Sequence, residues 1–210
     1  MISILVLIVF LLSSVFNIFS HLIDYKKGAA ISKTLLMPTL ALYYVISSSD
    51  MSFLILLALL CSFIGDLFLL DNLRIKHGLI AFMVGHGFYI GKFALNLRFE
   101  NFQIVYLIFL LPYVFYLPHF IKKLIPSAGK IKGYLIAYSV IISIMSYLAL
   151  LNSFINPSFQ SYMIFFGSLL FIISDNILAY SIFIYKKKYH NLFIMITYIL
   201  AQFFIVIGIK

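Results

Sequence analysis

Cysteine and charge are both scarce in this chain, and acidic charge most of all. The single Cys61 lies inside an apolar run, which leaves no basis for a disulfide or a cysteine metal site. Only 10% of the residues are charged and 64% are hydrophobic, whereas soluble domains are about 25% charged and about 45–50% apolar. With a mean hydropathy of +1.14, the chain is no ordinary soluble globule. Polar stretches stay short throughout. Residues 1–210 therefore read as one all-α membrane domain with no appended soluble unit.

Apolar runs long enough to cross a bilayer fall at about 2–23, 29–46, 51–70, 78–95, 102–121, 131–151, 160–185 and 190–209, which predicts a bundle of eight transmembrane helices. The first run has no basic residue ahead of its apolar core and no small-residue cleavage site, so it reads as a retained helix rather than a signal peptide.

Charge placement tests this number. Lys and Arg accumulate in cytoplasmic loops, and one set of loops holds Lys26, Lys27, Lys33, Arg74, Lys76, Lys122, Lys123, Lys130, Lys132, Lys186, Lys187 and Lys188, 12 of the 15 basic residues. Arg98 and Lys210 fall on the other side, and Lys92 can snorkel outward from about one turn inside the fourth span. Both termini are thus expected on the non-cytoplasmic side. The net charge of +9 is topological, and it draws the loops to anionic lipid rather than marking a nucleic-acid module.

Of the six acidic residues, Asp24, Asp50 and Glu100 fall in expected loops and Asp71 ends the third span, which leaves Asp66 and Asp175 at membrane depth. An ionisable group there costs about 2.5–3.5 kcal/mol on insertion scales, so each needs a partner, a proton or a watery cavity. Counted from Met51 and Gln160 at about 1.5 Å per residue, both lie about 22 Å from the outer face, in the cytoplasmic third. His86, on the span entering near Gly78, reaches a similar level, with Tyr89 one turn further up and Tyr198 and Gln202 at comparable depth on the last span. A polar layer built from the third, fourth, seventh and eighth spans follows.

Blander readings compete at each position. Asp66 can be neutralised by a packing partner, and Ser62, Ser168 and Asn176 can be interhelical glue. A lone histidine is as readily a packing residue as a proton carrier. The Gly87 and Gly91 spacing suits a close helix contact, and most tyrosines and phenylalanines should face lipid or the interface. CSFIGDLFLL and LFIISDNILA also align around their aspartates, so two parallel four-helix halves are conceivable. Two carboxyls and a histidine at one depth are nevertheless costly as scaffolding.

At these residues the chain resembles the lysoplasmalogenase family, which includes the bacterial YhhN-like membrane proteins. The likeness is carried by Lys33 to Pro38 in SKTLLMPTLAL, Gly65-Asp66, Phe82 with Gly85-His86 and Tyr89 in FMVGHGFY, Gly167, Leu170, Phe171 and Ser174-Asp175 in GSLLFIISDNILA, and Tyr198 with Gln202. Lys33 is followed here by Thr34, where the family often has proline. The resemblance implies an eight-helix enzyme that hydrolyses the vinyl-ether bond of lysoplasmalogens to a fatty aldehyde and a glycerophospho-base. Such a reaction needs a carboxylic acid still protonated near neutral pH to protonate the outer alkene carbon, and a carboxylate to steady the oxocarbenium ion and deprotonate water. Two carboxyls sharing a site divide those roles.

Asp66 and Asp175 are accordingly the expected acid–base pair, in either order, with His86 or Tyr89 orienting the water or relaying protons. Tyr89, Ser174, Asn176, Tyr198 and Gln202 would contact substrate, and Lys33, Arg74 and Lys76 would meet its phosphate. The expected partners are a lysophospholipid and the bilayer, in a bacterial cytoplasmic membrane. A zinc-bound hydroxide is a rival route, yet hydroxide attack does not activate a vinyl ether, so neither metal nor other cofactor is expected. The alternative class is a proton-coupled transporter or lipid flippase using the same carboxyls. A purely structural membrane organiser would leave the buried acids unexplained.

Overall fold

In the computed structural model, residues 2–71, 74–97, 100 and 102–210 are described; Arg98, expected on the outer side, lies outside them. Among these residues the secondary structure is all helical: α1 Ile2–Leu22, α2 Lys26–Ser47, α3 Phe53–Leu69, α4 Ile75–Asn96, α5 Leu111–Leu124, α6 Lys132–Ile155, α7 Phe159–Phe183 and α8 His190–Ile209. Each matches one expected span. Seven stretches are long and apolar enough to cross a membrane, while α3 is shorter at 17 residues. The protein is a multi-pass membrane protein.

Local chemistry accounts for the helix ends. Asp24 takes a left-handed φ of 57° in the tight α1–α2 turn, a conformation its short polar side chain tolerates. Ser158 caps α7 by accepting from the Ser161 backbone N–H, and the Ser158 backbone N–H donates in turn to the Ser161 hydroxyl. The fifth span begins as a 3₁₀ helix over Ile104–Leu110 and becomes α-helical at Leu111, with Pro112 in the first α-turn, where its missing N–H goes unmissed.

Helices α1 and α2, α3 and α4, and α7 and α8 pack as neighbouring pairs around a core containing Leu36, Leu40, Tyr44, Ile55, Leu59, Tyr89, Phe93, Met145, Phe171 and Ile205. The α5 helix stands at the margin on a separate cluster of Phe120, Leu124, Leu135 and Ala179. Large apolar side chains such as Leu12, Leu95, Ile104 and Phe115 are exposed, as a lipid-facing surface requires.

Close helix approach depends on glycines other than the expected pair. Nothing lies within 4 Å of a Cβ built on Gly87, and one on Gly91 meets only the Leu54 side chain at 3.5 Å. The working contacts are Gly85, whose added Cβ would stand 3.2 Å from Ala58 O and Cys61 Cβ on α3, and Gly167, at 2.8 Å from Ala201 O and 3.0 Å from Ile205 N on α8. Gly87 points outward because His86 and Tyr89 take the buried face of α4. The spacing identified a face of α4, but the wrong one.

Candidate active site

Asp66 is 2% exposed near the end of α3. Its Oδ1 pairs with Lys33 Nζ of α2 at 3.1 Å, and its Oδ2 accepts from the Tyr198 hydroxyl of α8 at 2.7 Å. Lys33, expected to meet a phosphate, is thus committed to a carboxylate inside the bundle. The bland reading of Asp66, neutralisation by a packing partner, describes this arrangement well.

Asp175 has different company. Its Oδ2 accepts from the Tyr138 hydroxyl of α6 and lies 3.8 Å from His86 Nε2 of α4. His86 Nε2 is also 3.1 Å from the Tyr138 oxygen. A tyrosine hydroxyl has one proton; once it goes to the carboxylate, the oxygen can only accept, so His86 carries its proton on Nε2. His86 Nδ1 is buried and has no hydrogen-bond partner among the described residues.

The two carboxyls do not hydrogen-bond each other, but Asp66 lies within electrostatic range of Asp175. Aromatic rings fill the space around them. Phe171 meets His86 edge-on at 4.6 Å between centroids and Tyr198 at 5.5 Å, and Phe82 stands edge-on to both Phe171 and Tyr198. One turn away, Tyr89 donates to Gln202 Oε1 at 2.6 Å, and Gln202 Nε2 donates to Ser62 at 3.0 Å. Ser62 is therefore interhelical glue as well as a member of the layer.

A narrow, partly open cleft runs among α4, α5, α6 and α7. Its walls are mainly apolar, including Leu79, Phe82, Phe120, Ile142, Ile172 and Phe183, and its polar lining includes Asp175, Asn176, Tyr138 and Tyr116. Leu69, Ile75, Leu135 and Phe183, close to the basic turns, line it too, so it reaches Asp175 from that end. Asp66, His86, Tyr89, Tyr198 and Gln202 are absent from its lining and stand behind its wall. The Asp175 side chain is 15% exposed, against 3% for that of Asp66.

The remaining expected residues divide. Asn176 lines the cleft and accepts from Tyr116, whereas Ser174 donates to Ile194 O at 3.0 Å and clasps α7 to α8. Arg74 pairs with Asp71 at 3.4 Å, and Lys76 lies over the Tyr134 ring at 4.5 Å; both are near the mouth but outside the lining. Sequence reasoning missed Tyr138 and Tyr116. The depth arithmetic contained a signal for the first, since Tyr138 lies about 9 Å into α6 from Lys132 and so at the level of the aspartates. Among the described residues, no three His, Cys, Asp or Glu side chains converge as a metal ion would need.

An all-helical membrane bundle with a carboxyl in the lining of an apolar cleft, and a second, ion-paired carboxyl outside that lining, is the class of protein that this geometry defines. The chain belongs to the YhhN family, whose sequence pattern matches residues 28–209. It is also 29% identical over 153 residues to a mouse (Mus musculus) protein named lysoplasmalogenase TMEM86B, a match covering 72% of this chain and 61% of the mouse protein. The chain thus spans about three fifths of that relative's length. No solved structure matches it.

Proposed function

We propose that this protein hydrolyses the vinyl-ether bond of lysoplasmalogens, releasing a fatty aldehyde and a glycerophospho-base. The family and the name of the mouse relative support the reaction, and one observation carries the site: Asp175 is the buried-layer carboxyl that reaches an apolar cleft. The alkenyl chain lies along Phe82, Ile142 and Ile172, with the glycerophospho end toward the basic turns. The basic end faces the cytoplasm and both termini face away from it, in a bacterial cytoplasmic membrane.

The two aspartates divide the work. Asp66 is held by Lys33 behind the cleft, and Asp175, in the cleft lining, is the acid that meets the substrate. Asp175 gives that proton to the outer alkene carbon, forming a C–H bond and leaving an oxocarbenium ion beside a new carboxylate. Water adds to the cation and returns a proton to Asp175. The hemiacetal then collapses as its hydroxyl loses a proton and the glycerol oxygen gains one, so water is consumed and no net proton is. The carboxylate that Asp175 becomes on giving up its proton lies against the cation it has formed and steadies it.

The test is aldehyde release by purified protein in detergent, with a lysoplasmalogen and its saturated alkyl-ether analogue side by side. Aldehyde is expected from the first only, and it should fall to background in Asp175→Asn. Undiminished release in that variant would sink the proposal.

A further inference from the structure

A carboxylic acid has two oxygens, and among the described residues both polar side-chain contacts to the Asp175 carboxyl fall on one of them. Tyr138 donates to Oδ2, and His86 Nε2 stands 3.8 Å from the same atom. The His86 ring is fully buried and set edge-on against Phe171 at 4.6 Å, so it has no room to turn toward Oδ1. Tyr138 itself lines the cleft beside Asp175.

We propose that Tyr138 is a positioning residue: by donating to Asp175 Oδ2 while accepting from His86 Nε2, it turns Oδ1 into the cleft as the oxygen that exchanges a proton with substrate. This rests on the hydrolase reading above and names the group that gives it geometry. The bond serves both protonation states. With the proton on Oδ1, Oδ2 is a carbonyl-type acceptor; after transfer it is a carboxylate oxygen and accepts more strongly. The Tyr138 bond therefore strengthens as the alkene is protonated, which is how a hydrogen bond assists a reaction step rather than only binding.

A purely structural tyrosine gives the right contrast. Tyr113 is also buried against α6, and its hydroxyl meets Ser146 at 2.9 Å, away from either carboxyl. Removing that hydroxyl loses a neutral bond; removing the Tyr138 hydroxyl loses one to a group that acquires charge.

The experiment compares wild type, Tyr138→Phe and Tyr113→Phe by steady-state kinetics on a lysoplasmalogen and by infrared spectroscopy of the carboxyl stretch, with the Asp175 band assigned through Asp175→Asn. Tyr138→Phe should lower kcat about 10- to 100-fold with KM within about twofold, and it should shift the Asp175 band. Tyr113→Phe should change neither. A kcat within about twofold of wild type in Tyr138→Phe, an unmoved Asp175 band, or an equal loss in Tyr113→Phe would each overturn the assignment. If wild type releases no aldehyde, the hydrolase reading falls, while the infrared band still decides whether Tyr138 holds Asp175.

Discussion

Asp66 and Asp175 are held by the same layout with different chemistry. Each is gripped by one side chain from the preceding helix and one from across the bundle: Lys33 of α2 with Tyr198 of α8, and Tyr138 of α6 with His86 of α4. Each aspartate's helix also packs tightly on the next, α3 on α4 and α7 on α8. Two parallel halves would give such an arrangement. Both carboxyls accept from a tyrosine, and the difference is the other partner: Lys33 sets an opposite charge 3.1 Å from Asp66, whereas the histidine beside Asp175 stands back at 3.8 Å. On the proposed reading, depth alone does not make a buried acid reactive; its partner decides.

Asparagine substitution is the most direct way to break this comparison. Asp175→Asn keeps the shape and can still accept from Tyr138, so it should lose about 10²- to 10⁴-fold in aldehyde release with little change in melting temperature. Asp66→Asn leaves Lys33 without its counter-charge and should cost about 3 kcal/mol of stability, the low end for a broken buried pair because Lys33 keeps 16% exposure. Thermal unfolding in detergent and aldehyde assays on both variants check this; equal melting temperatures would erase the distinction.

The ion pair itself gives a sharper, smaller effect. Lys33→Met should destabilise in the same direction as Asp66→Asn, because it strands the carboxylate. Joining it with Asp66→Leu should restore much of the lost stability, since a well-packed apolar pair replaces a buried ion pair at little net cost. Additive losses in the double variant would show that the two side chains do not act as a pair.

Much of this was legible in the chain because a charge inside an apolar run is an anomaly that composition exposes. Asp66 and Asp175 stand out for that reason, and the eight spans emerge from hydropathy and loop charge. Lys33 was misplaced because a lysine near a helix end can snorkel outward or turn inward, and counting loop charges does not distinguish the two. Tyr138 was passed over for a different reason, although its depth was calculable. It is one of fifteen tyrosines, amphipathic residues equally at home in a core or an interface, and only the packing of α6 against α4 and α7 selects it. The cleft was out of reach as well, since it depends on α5 standing at the margin of the bundle.

The smallest effects concern the glycines that set each aspartate's helix against its neighbour. A Cβ at Gly167 would meet the α8 backbone at Ala201 O and Ile205 N, and backbone cannot step aside as a side chain can. Gly167→Ala should therefore separate α7 from α8 and cost about 1–3 kcal/mol, moving Asp175 relative to the cleft. At Gly85 the contacts are 3.2 Å, so α3 and α4 need give only a few tenths of an ångström and the loss should be smaller. Gly87→Ala meets nothing and should be neutral or stabilising by up to about 1 kcal/mol through helix propensity. If thermal unfolding ranks the three as Gly167, Gly85, Gly87, the tighter constraint lies on the helix carrying Asp175, the carboxyl proposed to react. A reversed order would mean that α4, with His86, sets the geometry of both aspartates, and the comparison would have to be redrawn around the histidine.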